Sequence, residues 1–403
     1  MTTIPDFNTA TFVPGDPIDN PYHPLTPGTI SVYEGEPEDE EMGEEIEETI
    51  RFAVTFQTED IAGVTATVVR ETAWANGFLQ EDTDDWFAQD TDGNVWYLGE
   101  STTAFEYDDD GNFIGTNNDG AWEAGVNGAL PGYIMKANPQ VGDRYYQEFA
   151  PNDEALDQAE VISRSKTLAT EVGTVRNVLQ TLESTELAPG VFDFKYYAPG
   201  IGLVLVEELD ENLEPDFIVE LESITSVTAD FFTSGRGTQG NDGLDGDNTH
   251  NTIEGRRGDD LLQGFGGNDR LLGQDGNDFL VGGDGVDVLM GGKGQDILIG
   301  GEGADILKGG EDRDQFVFRT LADKSDRIKD FTGQDVIILV EIFDSANYGS
   351  STPLDDYLQI TQMGSHTVIR IDVDGDSGSN PFEVLATLKN TNANILSDAN
   401  FVV

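Results

Sequence analysis

Apolar and polar residues follow two different patterns along the chain, one on each side of about residue 230. Upstream, β-branched and aromatic residues alternate with polar ones in runs such as RFAVTFQT and GVTATVVRET. A period of two predicts strands that bury one face. Downstream, between Gly237 and Val317, one apolar residue returns at every ninth position. A fixed internal period of this kind predicts a repeat architecture.

The upstream pattern predicts an antiparallel β domain over residues 49–229. Asp92-Gly93-Asn94 and Asp110-Gly111-Asn112 separate aromatic runs, which is typical of tight hairpin turns. The pattern of residues 153–163 is compatible with one helix. The predicted strands cover residues 51–74, 84–125, 174–182, 192–197 and 202–209.

Nine units of nine residues make up the downstream repeat, without an insertion. Each unit opens with glycine, has an acidic position five residues later and an apolar position two residues after that. The acidic position holds Asp242, Asp260, Asp269, Asp278, Asp287, Asp296, Asp305 and Asp314, with Asn251 in the second unit. The apolar position holds Leu244, Ile253, Leu262, Leu271, Leu280, Leu289, Leu298, Leu307 and Phe316. A flexible glycine-rich linker has no reason to keep a leucine in register, so we expect folded structure.

The two halves of a unit predict a turn and a short strand. Glycine reaches positive φ at little steric cost, so the first half suits a sharp turn. The second half, such as Asp287 to Met290, is too short for a helix and suits a brief strand with one inward side chain. Turns and strands repeated in this way coil into a solenoid that buries its leucines between neighbouring units. If two units complete one coil, every second aspartate stacks on the same edge, about 4.8 Å from the next.

Stacked carboxylates repel one another unless a cation lies between them. Under this arrangement Asp242, Asp260, Asp278, Asp296 and Asp314 line one edge of the solenoid, and Asp269, Asp287 and Asp305 line the other. Carboxylate and carbonyl oxygens without thiol or imidazole favour a hard cation. A flexible cage built from loops suits calcium better than magnesium.

The units GGDGVDVLM, GGKGQDILI and GGEGADILK resemble the nonapeptide repeats of the RTX, or hemolysin-type calcium-binding, family. The resemblance implies a parallel β-roll with several Ca²⁺ ions, about seven, held between each turn and the turn two units later by aspartates and loop carbonyls. Besides the eight aspartates, it assigns metal-site roles to Gly264, Gly267, Gly273, Gly276, Gly282, Gly285, Gly291, Gly294, Gly300 and Gly303. Thr249, Asn251 and Asp312 depart from the family pattern, so we expect weak or absent sites where Thr249 and Asn251 lie.

The repeats end near residue 318, and residues 319–403 resemble the segment that caps RTX rolls. Strands are predicted at 357–361 and 367–372, and the acidic turn at 372–376 is either an ordinary turn or one more calcium site. The final stretch, PFEVLATLKNTNANILSDANFVV, looks like the carboxy-terminal signal of type I secretion substrates. The resemblance therefore implies a type I exporter as a partner.

Composition supports an extracellular protein that handles cations. The chain has 78 acidic and 21 basic residues, a formal net charge of -57, which argues against nucleic-acid binding. It has no cysteine, no Sec-type leader and no apolar run of membrane-spanning length. We therefore expect a secreted protein without a Sec signal peptide, stabilised by bound metal. Residues 1–48 are expected to form an extended arm, proline-rich at first and acidic towards its end.

The amino-terminal domain shows no recognisable catalytic set. Its tryptophans, Trp74, Trp86, Trp96 and Trp122, suit either a ligand cleft or core packing. Asp90, with its neighbours Asp92 and Asn94, has the spacing of metal ligands but also suits a hairpin turn. We expect a non-enzymatic structural or binding domain, with a cell-surface glycan among the possible ligands. The alternative is a hydrolase acting on polysaccharide or lipid.

Overall fold

A computed structural model describes residues 2–37, 47–152, 155–210, 212–229, 231, 235–343, 353–372 and 382–403. The described chain is mainly β, as predicted, and forms two compact units. Unit 1 comprises residues 1–76, 80–104 and 117–229, and unit 2 comprises residues 77–79, 105–116 and 230–403.

The first fifteen strands of the chain belong mostly to unit 1. They are β1 (Thr29–Pro37), β2 (Glu48–Ile61), β3 (Val64–Ala75), β4 (Phe78–Gln89), β5 (Val95–Tyr107), β6 (Phe113–Asn117), β7 (Trp122–Glu123), β8 (Leu130–Met135), β9 (Arg144–Tyr146), β10 (Glu148–Phe149), β11 (Asp157–Thr170), β12 (Gly173–Thr185), β13 (Phe192–Ala198), β14 (Gly202–Leu209) and β15 (Pro215–Ser226). A short 3-10 helix, Phe7–Thr9, precedes them.

Thirteen of these strands form one continuous, strongly curved sheet in the order β10-β8-β5-β4-β3-β2-β1-β15-β14-β13-β12-β11-β9. All of the pairings described along this order are antiparallel. The two end strands, β9 and β10, are separated along the chain by Gln147 alone. The sheet therefore curls until its ends meet, and its concave face encloses an interior.

Alternating burial explains why these segments are strands. In the first part of β3, the buried residues Val64, Ala66 and Val68 alternate with the more exposed Thr65 and Thr67, so the period-two prediction is confirmed there. The helix predicted over residues 153–163 is wrong. Its described part begins β11, where Ala159 and Val161 point inward two residues apart. Residues 29–37, assigned from the sequence to an extended arm, form β1 between β2 and β15.

Unit 2 consists chiefly of a parallel solenoid, the roll, followed by a smaller closing region. Its elements are β16 (Gly243–Asp245), β17 (Thr252–Arg257), β18 (Leu261–Gln263), β19 (Gly266–Gly267), β20 (Arg270–Asp275), β21 (Phe279–Val281), β22 (Asp284–Gly285), β23 (Val288–Lys293), β24 (Ile297–Ile299), β25 (Ile306–Glu311), β26 (Gln315–Val317), β27 (Asp326–Ile328), β28 (Val336–Ile338), α1 (Val340–Phe343), α2 (Pro353–Tyr357), β29 (Leu358–Met363), β30 (His366–Ile371), β31 (Glu383–Leu388) and β32 (Phe401–Val402). Two 3-10 turns, Ala393–Ile395 and Asp398–Asn400, lie near the end.

Each coil of the roll contains two nonapeptides. Strands pair with parallel neighbours 18 residues away, as Leu262 does with Leu280 and Leu271 does with Leu289. Odd and even units therefore form two separate sheets. The repeated apolar residues, from Leu244 to Phe316, are all buried in one column between these sheets. Each leucine is covered by the coils next to it, which is the arrangement that the nine-residue period predicts.

The closing region completes the last coils. β32 pairs with β28 at the end of one sheet, while β31, β30 and β29 extend the other. β29 and β30 lie where the sequence predicts strands. The acidic turn predicted at residues 372–376 falls almost wholly outside the described residues. The longest α-helix in the described ranges has five residues, so none there has the length needed to cross a membrane.

Candidate metal centre

Two ladders of aspartates run along the edges of the roll. On the first edge, the Asp260 amide donates to Asp278 Oδ1 at 3.0 Å, and the Asp278 amide donates to Asp296 Oδ1 at 2.9 Å. On the second, the Asp269 amide donates to Asp287 Oδ1 at 2.7 Å, and the Asp287 amide donates to Asp305 Oδ1 at 2.8 Å. The two predicted edges are thus present, and each carboxylate reaches back to the preceding coil.

The second carboxylate oxygen of these aspartates, Oδ2, is the atom that indicates a metal site. Within the described part of the chain, seven buried Oδ2 atoms make no hydrogen bond of normal geometry, and no lysine or arginine forms an ion pair with their residues. Burying a carboxylate oxygen without a donor or cation is costly. The seven atoms belong to Asp260, Asp269, Asp278, Asp287, Asp296, Asp305 and Asp326.

The opening glycine of each unit makes room for this oxygen. A Cβ at Gly264 or Gly282 would lie 2.7 Å from Oδ2 of the aspartate in the same unit, Asp269 or Asp287. The same conflict occurs at Gly273, Gly291 and Gly300. Glycine at this position therefore lets the carboxylate lie against the backbone of its own turn.

The second turn glycine allows neighbouring turns to approach closely. Gly276, Gly285 and Gly294 have positive φ, and a Cβ on any of them would overlap the carbonyl oxygen of the equivalent residue one coil earlier. Gly267 and Gly303 are similarly crowded by the preceding turn. The turn carbonyls are consequently stacked beside the carboxylate ladders. They add hard oxygen atoms to the same edges.

The electrostatics of the ladders favour neutralisation. Burial raises the pKa of Asp260 to about 10, with Asp278 and Asp242 adding repulsion. Burial likewise raises the pKa of Asp278 to about 8 and of Asp296 to about 9. On the second edge burial raises the pKa of Asp287 to about 6. Each carboxylate is thus more costly to ionise in the fold than in water, unless a cation compensates its charge.

The ladders continue beyond the regular repeats, which the sequence reasoning missed. The Asp305 amide donates to Asp326 Oδ1 at 2.8 Å, and the Asp314 amide donates to Asp335 Oδ1 at 3.1 Å. Both steps span 21 residues instead of 18. The sequence does contain a signal for both residues, the spacing of aspartate and apolar residue. Asp326 and Asp335 each lie two residues before a buried isoleucine, as Asp314 lies two residues before Phe316.

The second unit, which has Thr249 and Asn251 in place of a glycine and an aspartate, differs from the regular units in its turn. Asn251 Oδ1 accepts from the amide of Asp247 in its own turn, although the Asn251 amide still donates to Asp269. Among the described residues, Thr249 lacks the positive φ found at Gly267, the equivalent position one coil later. The last unit keeps this conformation with a non-glycine residue, since Asp312 has a φ of 71°.

The donor set fits calcium. It consists of carboxylate and carbonyl oxygens on loops, the ligands that calcium takes. In the described ranges no three His, Cys, Asp or Glu side chains converge in the manner of a metal site. A cation on these edges would therefore need backbone carbonyls as well as the stacked carboxylates.

The other candidates in the sequence have structural roles. Trp74, Trp96 and Trp122 are buried in the core of unit 1. Asp90 accepts hydrogen bonds from the amide of Asn94 and from Trp96 Nε1, at 2.9 and 2.8 Å. It stabilises a hairpin turn, so the turn interpretation of this motif is the one that the contacts favour.

Comparison with known proteins identifies the repeats. Residues 245–280 and 281–316 match the RTX calcium-binding nonapeptide repeat family. This part of the chain is therefore a calcium-binding β-roll. The match does not extend to unit 1, and no protein of curated function matches the chain.

Similarity to solved structures is distant. A protein from Bacteroides fragilis with a YmcC-like fold shares 16% identity over 51% of this chain and 99% of its own, with a TM-score of 0.31. The extracellular lipase LipA from Serratia marcescens shares 19% identity over 41% of this chain and 39% of its own, with a TM-score of 0.22. The AlgE6R3 subunit of the mannuronan C5-epimerase from Azotobacter vinelandii shares 26% identity over 41% of this chain and 80% of its own, with a TM-score of 0.20.

Proposed function

We propose that the chain is a secreted protein whose roll folds on binding extracellular calcium and displays unit 1 as a non-enzymatic binding domain. The observation that carries the proposal is a set of seven buried carboxylate oxygens that, within the described residues, have neither a hydrogen bond of normal geometry nor an ion pair with a lysine or arginine. A protein gains nothing from burying such atoms unless a cation joins them. The RTX repeats indicate which cation that is.

Consecutive carboxylates along each edge would hold the ions. We assign this role to Asp242, Asp260, Asp269, Asp278, Asp287, Asp296, Asp305 and Asp314, together with the turn glycines of the same units. Asp326 and Asp335 extend the two series by one position each. Calcium, when bound, supplies positive charge that offsets repulsion within the ladders.

Export and folding are linked in this proposal. Where calcium is scarce, the raised pKa values mean that ionised ladders oppose folding, so the roll stays unfolded and suits passage through a type I exporter. Outside the cell, binding energy becomes folding energy. The proposed export signal includes β31 and β32, and these strands close the last coils once the roll has formed.

A calcium titration of the full chain tests the proposal. After chelation, we expect added calcium to restore strand circular dichroism cooperatively, with a midpoint of order 10⁻⁴ to 10⁻³ M, while magnesium does not. Asp287→Asn should raise the calcium midpoint at least threefold, by about 0.7 kcal/mol or more. Asp284→Asn is the matched control, because Asp284 is exposed in the same turn and should leave the midpoint nearly unchanged. A roll that is fully folded in excess chelator at neutral pH would disprove the mechanism.

A further inference from the structure

The curled sheet of unit 1 forms a partly open cavity of about 440 Å³ whose lining is rich in carboxylic acids. Among the described residues that line it, eight carry carboxylic acids, and the basic ones are Lys195 and His23. Burial lowers the pKa of His23 to about 4, with Lys195 contributing, so this histidine is neutral near pH 7. Among the described lining residues, Lys195 is therefore the one that carries a positive charge.

Lys195 already forms an ion pair with Glu183. Its Nζ lies 3.0 Å from Glu183 Oε2, and the same carboxylate accepts from Tyr197 OH at 3.2 Å. This pair satisfies Glu183. The other lining carboxyl groups must either carry protons or meet a cation that comes from outside the lining.

Tyr97 shows that protons are shared here. Its hydroxyl oxygen lies 2.6 Å from Asp85 Oδ1 and 2.8 Å from Glu100 Oε2. A phenol has one hydrogen to donate, so one of the two carboxyl groups must itself be protonated to make the second bond. In agreement, burial raises the pKa of Glu100 to about 7 and that of Glu71, another lining residue, to about 8.

Glu148 supplies a second, independent observation. Its side chain lines the cavity and is only 8% exposed. Asp157 and Trp122 interact with its carboxyl group, yet its Oε2 has no hydrogen bond of normal geometry to any described residue. A carboxylate oxygen in such a place is costly unless a ligand donates to it.

The rest of the lining restricts what that ligand can be. Phe87 and Tyr97 stack at 4.9 Å, Tyr33 and Phe52 pack edge to face, and Val69 adds apolar surface. Aromatic faces and carboxylates together attract an organic cation. In the described residues no three acidic or histidine side chains converge for a metal ion. An anion would be repelled, and a neutral sugar would leave the acidic charge uncompensated.

We propose that this cavity binds an organic ammonium ion, an amine with an apolar body, whose charged nitrogen meets Asp85, Glu100 and Glu148 and whose body lies on the aromatic side. The proposal gives a ligand class to the binding role proposed for unit 1, on which it rests. It is independent of the calcium ladders, because every residue it uses lies in unit 1.

Isothermal titration of the full chain in saturating calcium tests the idea with 2-phenylethylammonium, the neutral 2-phenylethanol and the anionic phenylacetate. We expect the ammonium ion to bind at least tenfold more tightly than the alcohol, and phenylacetate not to bind. Because binding would displace protons from the carboxyl groups, its affinity should rise with pH from 6 to 8, by up to about tenfold per unit for each proton released. The affinity of the alcohol should not change.

Glu148→Gln should weaken ammonium binding about tenfold and leave alcohol binding unchanged. Glu171→Gln, at an exposed site of unit 1, is the matched control and should alter neither. Thermal unfolding of each variant verifies that unit 1 remains folded. Equal affinity for ammonium and alcohol, or no binding of 2-phenylethylammonium, cadaverine or tetramethylammonium at millimolar concentration, would overturn the proposal. The calcium titration described above is a separate measurement, so failure of one proposal is distinguishable from failure of the other.

Discussion

The seven aspartates whose buried Oδ2 has no hydrogen bond of normal geometry to a described residue use their two carboxylate oxygens differently. In Asp278, Oδ1 accepts a hydrogen bond from the preceding coil, while Oδ2 lies against the opening glycine of its own unit without a donor. Asparagine can replace the first function but not the charge of the second. In the regular middle units glycine is needed twice, once beside the carboxylate and once where the turns stack. The nine-residue repeat therefore reflects both the geometry of the coil and the chemistry that individual positions require.

Gly285 lies where successive turns of the roll stack most closely. It has a φ of 147°, and a Cβ there would overlap the Gly267 carbonyl oxygen. Gly285→Ala should destabilise the calcium-bound roll by about 2–5 kcal/mol, because strain and overpacking add. Gly240→Ala occupies the same position of the first unit, where φ is not positive and open space surrounds the Cβ, so its effect should stay below about 1 kcal/mol. Chemical denaturation in saturating calcium compares them, and equal losses would contradict the stacking argument.

No strand of the roll is stable by itself. Leu261–Gln263 and Phe279–Val281 have three residues each, and their inward leucines, Leu262 and Leu280, are buried in the column that successive coils share. The stability of the roll is then a property of neighbouring coils, and its ends need covering. β32 provides such a cover, because Leu339 donates its amide to the carbonyl of Val402 at 2.8 Å and Phe401 is buried.

Removal of the last strand should loosen the end of the roll. Deleting residues 401–403 removes the partner of the Leu339 amide and the buried Phe401 ring, a loss of about 2–4 kcal/mol. Hydrogen exchange should accelerate at residues 336–339 well before it does at residues 261–299. Deletion of Val403 alone is the control, since this residue is 42% exposed and lies beyond the pairing. Unchanged protection of Leu339 in the longer deletion would show that β32 is dispensable.

The sequence was most informative where one physical constraint recurs. The register of the roll, its leucine column and its two aspartate edges follow from a period of nine. Asp326 and Asp335 were missed because their coils are three residues longer, so the period no longer identifies them. The cavity of unit 1 was not predictable, because β1 and β15 become neighbours although they are far apart along the chain. Its carboxylates cannot be told from other acidic residues until curvature brings them inside.

The whole molecule carries a large excess of negative charge, part of which is buried in the roll. The net charge is -57, of which the repeats contribute -11, from 17 acidic and 6 basic residues. Most of the excess is therefore spread outside the repeats, where it favours solubility. Inside the roll the buried carboxylates face a different problem, because water cannot screen them. Protons and calcium ions are two alternative ways to neutralise them.

The cation-free roll should therefore respond to pH in the direction opposite to an ordinary salt-bridged protein. The folded-state pKa of Asp278, about 8, lies above its value in an unfolded chain, so the folded roll binds more protons. Its stability is present at low pH and is lost as pH rises towards 8. Each such group contributes a few kcal/mol across this range. In chelator we expect the roll to be folded near pH 5 and unfolded near pH 8, whereas calcium keeps it folded at pH 8.

Hydrogen exchange over residues 261–317 measures this response in the full chain, and it separates the roll from the carboxylates of unit 1. Measurements should stop near pH 5, because the isoelectric point is about 4.1 and the protein loses its net charge there. Asp296→Asn should reduce the pH dependence, since it removes one group whose pKa is raised to about 9. Protons at low pH and calcium at high pH would then neutralise the same carboxylates. A cation-free roll with equal protection at pH 5 and pH 8 would show that charge in the ladders does not control folding.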